Sequence, residues 1–465
     1  MLFHTFVFLV FAIVFFGLWP LVRKHTKPRL AFIVLMSLIF YGWAEWWFVL
    51  LLLATGAIDF FLALRIEDDP ARKRLYLGLS VGMNLGSLAT FKYLGFFTEN
   101  LNWLLHTDIP KLSLALPIGI SFYTFQEMSY VIDVYLDRLK PTRSLLHFFA
   151  YLAFFPQLVA GPIERASHIL PQLLKWNKPT DDQQWQGLRL IIYGLFKKAV
   201  IADNLAVVVN GAFDAPTAAH TSIYWWVIVT MFAIQIYCDF SGYSDIARGL
   251  AKWVGIELMF NFLHPYNANS FREFWRRWHI SLSSWFRDYV YIPLGGSKDG
   301  PLQAHRNMWA TMLLSGFWHG AAWTFVLWGA LHAAYLSIER ETNWTGRLQK
   351  LPLGSLLASL AVMPFIWIGW LFFRAKSFTD ATHILGLMLN PLGHAGYGDV
   401  SRIARLPQII LLGCGIAWLV HEAQERGKFA WWSNTSLYER AVLIILIPLI
   451  VYARGPGGAF IYFAF

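Results

Sequence analysis

Met308-Trp-Ala-Thr-Met-Leu-Leu-Ser-Gly-Phe-Trp-His319-Gly-Ala-Ala-Trp-Thr-Phe-Val-Leu-Trp-Gly-Ala-Leu-His332-Ala-Ala-Tyr335 contains no charged side chain. As one helix it would exceed the roughly 30 Å of a bilayer core, so the reading predicts a span over 308–336. His319 would then lie at membrane depth, where an ionisable group costs a few kcal/mol unless paired or hydrated, and so marks a functional site. Histidine is also the side chain best suited to moving protons near neutral pH. Gly316 and Gly320 flank it and would let a substrate approach the backbone. The plain alternative is a histidine that bonds a neighbouring helix. His332 lies over half a turn round a regular helix from His319, so it is expected to be structural and outside any shared pocket.

Composition places the rest of the chain in the same class. Hydrophobic residues make up 57% and charged residues 14%, with a mean hydropathy of +0.47. That is too little charge to cover a soluble domain of this length. Apolar runs predict an all-α polytopic membrane protein with spans near 3–21, 30–43, 46–64, 75–97, 112–135, 145–160, 188–209, 222–240, 308–336, 352–373, 406–420 and 440–453, one or two of them re-entrant. No small-residue cleavage site follows the first span, so it reads as a retained helix.

The net charge of +10 does not indicate nucleic acid. It collects in short loops (Arg23, Lys24, Lys27 and Arg29; Arg72, Lys73 and Arg74; Arg138, Lys140 and Arg143), which the positive-inside rule assigns to the cytoplasm, with the N-terminus outside. Cys238 and Cys414 lie in apolar segments without metal-ligand spacing, so no metal site is expected. No phosphate-cradling glycine loop and no inverted repeat is evident. The chain reads as one membrane domain, 1–465, with N-terminal helices to 160, a motif-bearing core over 161–340, and C-terminal helices and an aromatic tail over 341–465.

Between Phe271 and Phe286 the apolar residues Phe271, Phe274, Trp275, Trp278, Leu282, Trp285 and Phe286 fall at helical spacing, with Arg272, Arg276, Arg277 and Arg287 on the other side. This predicts a basic amphipathic helix at the cytoplasmic interface. His279 sits at the edge of its stripe. The helix serves as an anchor, or Arg272, Arg276 and Arg277 receive the phosphates of an anionic donor. Pro293, Gly295 and Gly296 end it. Lys92, in Ala89-Thr-Phe-Lys-Tyr, is a second candidate donor contact beside the simpler reading of a snorkelling lysine. Asp59 reads as a partner for a neighbouring helix.

Phe274-Trp-Arg-Arg-Trp-His279-Ile-Ser-Leu-Ser-Ser-Trp-Phe-Arg-Asp-Tyr-Val-Tyr-Ile-Pro-Leu-Gly-Gly-Ser297, followed by Ser315-Gly-Phe-Trp-His319-Gly-Ala-Ala-Trp323, resembles the membrane-bound O-acyltransferase family, in particular its alginate O-acetylation branch. Further blocks agree in family order: Leu116–Asp133, Phe155–Arg165 and Gln235–Asp245. The resemblance implies a bowl of roughly 10–12 transmembrane helices around a central tunnel, with interfacial and re-entrant helices. It makes His319 the expected catalytic residue and His279 its companion.

Such an arrangement suits acyl transfer, because an uncharged imidazole can take the proton of an attacking hydroxyl at a thioester carbonyl. Apolar walls would keep water from the donor. No acidic residue lies within two turns of His319 on its own helix, so Asp239 and Asp245 are the candidates to orient it. Phe460, Tyr462 and Phe465, after the glycine-rich Gly455-Pro-Gly-Gly, are similar in spacing to a C-terminal motif of the small partner protein in teichoic-acid D-alanylation. That likeness makes Tyr462 a candidate acyl carrier, beside the reading of an interfacial aromatic anchor.

The expectation is therefore an O-acetyltransferase of the bacterial inner membrane. Acetyl-CoA would be the donor substrate, with no permanently bound cofactor. The acetyl group would cross to an extracytoplasmic polysaccharide such as alginate, with a separate extracytoplasmic acetyltransferase completing delivery. The alternatives are D-alanyl or other acyl transfer to a cell-wall polymer, and a passive channel or transporter with His319 as proton relay.

Overall fold

The computed structural model describes residues 1–112, 114–216, 221–390, 412, 413, 415, 416, 418, 435–458, 460 and 461. Their regular secondary structure is helical throughout, as the hydropathy pattern requires. Among the described residues three helices are long and apolar enough to cross a bilayer unaided: Trp47–Asp68, Ser222–Val254 and Gly354–Arg374. The chain divides into one unit of Met1–Ile191 with Tyr243–Met259 and a second of Ile192–Gly242 with Phe260–Phe465.

The first unit begins with α1 (Phe6–Val22), α2 (Thr26–Gly42) and α3 (Trp47–Asp68). Thr5 caps α1 by accepting the Phe8 N–H at 3.3 Å. Phe8, Phe11, Phe15 and Trp19 recur at helical spacing and are buried, and the Phe155 ring packs against Phe11, Phe15 and Phe40 at 5.1–5.5 Å. This edge-to-face and tilted aromatic core supplies large burial in defined geometry. Next come α4 (Lys73–Leu88) and α5 (Leu94–Leu105), joined through the π-helical turn Ala89–Tyr93 that carries Lys92.

The expected span over 112–135 is helical only in α6 (Ile120–Tyr135), because Pro117 precedes it and Gly119 takes a left-handed φ of 79°. The expected span over 145–160 is not one helix either. It forms α7 (Leu145–Leu152) and the single turn α8 (Phe155–Leu158), parted at Ala153 and Phe154 with Pro156 opening the second piece. At 1.5 Å per residue neither piece approaches the ~30 Å a span needs. All of 151–160 is buried, as irregular backbone at membrane depth must be. α9 (Ala166–Leu174) follows.

α10 (Asp181–Leu195) continues through the π-helical turn Phe196–Ala202 into α11 (Asp203–Asp214), covering the expected span over 188–209. α12 (Ser222–Val254) runs well beyond the expected end at 240. Its 33 residues measure about 50 Å.

In the second unit the predicted amphipathic helix is two short ones, α13 (Phe271–Arg277) and α14 (Ile280–Phe286), broken at His279. The predicted span over 308–336 is likewise two helices, α15 (Pro301–His319) and α16 (Trp323–Thr342), which turn back at His319. Their antiparallel register is plain from contacts of His305 with Ser337 at 3.3 Å and Trp309 with Ser337 at 2.9 Å. At the other end a Cβ on Gly316 would lie 2.3 Å from the Phe325 carbonyl oxygen, and one on Gly329 would lie 2.4 Å from that of Met312. The two backbones touch because small residues let them, the usual device of packed membrane helices.

Among the described residues α17 (Trp344–Leu348), α18 (Gly354–Arg374), α19 (Phe378–Leu389) and α20 (Thr435–Tyr452) follow. α18 runs antiparallel to α16, with Tyr335 on Phe365 and Trp328 on Trp370 and Phe373. Most of the expected span over 406–420, with Cys414, lies outside the described residues; Cys238 is buried on α12.

Candidate active site

His319 is the last residue of α15. Gly320 continues in an extended conformation, φ −163°, and α16 begins three residues later. Gly316 and Gly320 do not open the backbone to a substrate, as their sequence suggests. A Cβ on Gly320 would lie 2.1 Å from the Phe325 ring, so these glycines admit the returning helix. The turn sets the His319 ring among Trp318, Trp328 and Phe373, at centroid distances of 5.0, 5.1 and 5.3 Å.

His279 arrives from the other broken helix. Its backbone is left-handed, φ 43° and ψ 54°, a conformation that costs a non-glycine residue on the order of 1–2 kcal/mol and persists only where surroundings enforce it. Asn261 enforces it here. Its carbonyl accepts the Ile280 N–H at 2.9 Å, and its side-chain oxygen accepts the Ser281 hydroxyl at 2.6 Å. The Leu263 N–H donates to the Arg277 carbonyl at 3.0 Å.

The buried face of the segment packs on α15, α16 and α18. Phe271 packs on Tyr335, Phe274 on His332, Trp278 on Trp370, and His279 reaches His319 at 6.5 Å between centroids. Its start is pinned by Glu339 of α16, whose carboxylate accepts the Phe271 and Arg272 N–H groups at 2.9 and 3.0 Å. His279 is fully buried rather than marginal to the stripe, and Phe240 closes over it at 4.6 Å.

The structure thus brings His279 and His319 into one aromatic chamber. It also corrects the reading of His332. Because α15 and α16 are not one regular helix, His332 and His319 share a wall, and the Trp328 ring lies 4.9 Å from the one and 5.1 Å from the other.

Asp239 forms a 2.7 Å ion pair with Lys198 and accepts the Ile461 N–H at 2.7 Å, which commits its carboxylate to those partners. Asp245 belongs to the first unit and lies 3.6 Å from Arg248. Lys92 also belongs to the first unit, with its ammonium 5.9 Å from the Tyr93 ring. Arg272 and Arg276 are exposed, whereas Arg277 is tied to Glu273. Tyr462 lies outside the described residues.

Beside the chamber is a cavity of about 650 Å³. Ala321 and Ala322 of the His319 turn and Phe373 form part of its wall. Lys198, Asp203, Asp239, Gly458 and Ile461 form another part. Lys198, Asp203, Asn261 and Glu339 escape a sequence reading centred on histidine motifs. The pair Lys197-Lys198 inside the apolar run 188–209 is the one local signal, since lysine at membrane depth is rare without a task.

An all-helical protein built for a bilayer, holding the buried His279 and His319 at breaks between helices, is an integral membrane protein with an enclosed chemical site. Residues 84–378, which include both histidines, match the model of the membrane-bound O-acyltransferase family. The chain is 37% identical over 433 residues to the probable alginate O-acetylase of Pseudomonas putida, covering 90% of this chain and 85% of that protein. It is 37% identical to the peptidoglycan O-acetyltransferase of Helicobacter pylori, covering 83% and 79%. It is 27% identical to the teichoic acid D-alanyltransferase of Bacillus subtilis, covering 58% and 71%. The chain belongs to the membrane-bound O-acyltransferase family and is a membrane acyltransferase, which sets aside the passive channel.

Proposed function

We propose that this enzyme takes acetyl from cytoplasmic acetyl-CoA and passes it across the bacterial inner membrane for O-acetylation of an extracytoplasmic polysaccharide such as alginate, a separate extracytoplasmic protein completing delivery. The observation that carries the reading is the burial of His279 and His319, 6.5 Å apart, in an aromatic chamber. An acetyl acceptor system is favoured over D-alanylation because identity to the O-acetylating relatives is 37% over most of the chain, against 27% over part of it.

His319 acts as the general base. It accepts the proton of an attacking hydroxyl while that oxygen bonds to the thioester carbonyl carbon. The carbon–sulfur bond breaks, and the proton passes to the departing coenzyme A thiolate. His279 is the companion that faces it. The aromatic walls limit hydrolysis of the donor.

In this reading the first acceptor is the Tyr462 phenol. A phenolate, with an ordinary pKa of about 10, leaves more readily than a sugar alkoxide, so the phenyl ester is a competent donor for the next hydroxyl. Arg272 and Arg276 recruit the phosphates of coenzyme A.

The test is reconstitution in proteoliposomes with isotopically labelled acetyl-CoA, withholding any extracytoplasmic protein. Mass spectrometry of the C-terminal peptide should show one added acetyl group, lost in Tyr462→Phe. Normal polymer acetylation by Tyr462→Phe would contradict the relay.

A further inference from the structure

Lys198 occupies the π-helical turn Phe196–Ala202, a local irregularity of the kind frequent at functional sites. Its ammonium lies 2.7 Å from Asp203 and 2.7 Å from Asp239, and all three side chains are buried. One ammonium cannot neutralise two carboxylates. A buried carboxylate short of donors is destabilising, as breaking a buried ion pair is.

The missing donors come from the C-terminal segment. The Ile461 N–H donates to Asp239 at 2.7 Å, and the Gly458 backbone bonds Asp203. In return Lys198 donates to the Gly458 carbonyl at 3.3 Å. Upstream, the Gly455 N–H donates to the Ala199 carbonyl at 2.8 Å, and the Asn204 amide donates to the Ala453 carbonyl at 2.9 Å. The Phe460 ring rests on Phe240, the same ring that closes over His279. Gly455 fits only without a side chain, because a Cβ there would lie 2.6 Å from the Asp203 carbonyl carbon. The ions need the segment for their hydrogen bonds as much as the segment needs the ions.

We propose that Lys198, Asp203 and Asp239 form a clasp that docks Gly455, Gly458 and Ile461 in the cavity wall, and that transfer of the acyl group onward depends on this docking. The three are positioning residues: they hold the segment that precedes the acceptor. The functional half of the inference rests on the relay reading above; the docking half does not.

The test places a reporter, Ile461→Cys, in the full chain with Cys238→Ala and Cys414→Ala, reconstituted in proteoliposomes. Two variants break the clasp by different routes. Asp239→Ala removes an acceptor, and Gly455→Val wedges the segment away while leaving every ion in place. Each should raise the maleimide labelling rate of the reporter at least tenfold. Each should lower kcat for acetyl transfer at least tenfold in the same chain without the reporter, with KM for acetyl-CoA unchanged. Asp239→Asn, which keeps an oxygen for the Ile461 amide, should move both readouts less. Labelling within twofold of the parent in both breaking variants overturns the clasp, and raised labelling with unchanged transfer overturns its role. Tyr462→Phe separates the two ideas. If it transfers normally while Gly455→Val does not, the relay fails and the clasp stands; the reverse pattern removes the clasp and keeps the relay.

Discussion

Asp59 and Asp239 are both buried aspartates on long apolar helices, yet their surroundings differ in kind. Asp59 on α3 accepts from Ser80 at 2.5 Å and Asn84 at 2.6 Å, two neutral donors one turn apart on the adjoining α4. Asp239 on α12 is held by a lysine and a backbone amide more than 200 residues along the chain, and it faces a cavity. The first arrangement is a knot between neighbouring helices. The second is completed by a segment whose arrival finishes the site. Burial of a carboxylate alone does not mark function; the origin of its partners does.

The contrast makes a first prediction. Asp59→Ala leaves the buried Ser80 hydroxyl without its acceptor and the Asn84 amide with only the Ser80 carbonyl, which should cost about 2–4 kcal/mol of stability. The folded fraction should keep its turnover number. Thermal unfolding in detergent and single-turnover assays on the same sample measure both. A normal melting temperature with lost turnover would place Asp59 with Asp239 and dissolve the distinction.

Cations extend the comparison. Lys198 is clasped by two carboxylates, whereas Arg272 and Arg276 are exposed on α13. If those arginines meet the donor's phosphates, replacing both with Gln should raise KM for acetyl-CoA by roughly three- to tenfold, as loss of charge-assisted contacts implies. The maximal rate should stay within about twofold, because such uniform binding does not alter the chemical step. Arg277→Gln should do less, since Glu273 already holds it. An unchanged KM in the double variant would leave α13 as an anchor.

The smallest effect belongs to Glu164, a buried carboxylate with a partly exposed partner. His168 Nδ1 lies 2.8 Å from it, and that bond raises the imidazole pKa above its ordinary value. The stabilisation is therefore fully present below about pH 6.5 and is lost as pH rises through the raised value. Because the pair's imidazole is partly exposed and screened by solvent, the pair should contribute about 1 kcal/mol or less. The melting temperature of the parent should exceed that of His168→Gln at pH 6 and approach it in alkaline solution. A gap that widens with pH would reverse the assignment.

Much of this was legible in the sequence. Hydropathy alone requires membrane helices, and the blocks around His279 and His319 point to the histidine pair. The breaks were not legible. An uncharged run without proline, such as 308–336, is compatible with one helix or with two, and Gly316, Gly320 and Gly329 serve equally for substrate access or for helix contact. The close approach of the returning helix at all three decides between them. The left-handed turn at His279 depends on Asn261, eighteen residues earlier, and no periodicity reports such a tie. The partners of Lys198 on the tail lie about 260 residues away, beyond any local pattern.

His319 and His332 are equally suited to test the central claim, since both are buried and both touch Trp328. Acetyl transfer from acetyl-CoA should be measured in proteoliposomes for His319→Ala and His332→Ala at matched folded protein. Loss of a general base predicts a fall of about 100- to 10,000-fold for His319→Ala, with His332→Ala remaining within a few-fold of the parent. If folded His319→Ala keeps more than a tenth of the parent rate, or His332→Ala falls as far, the chamber does not work through His319.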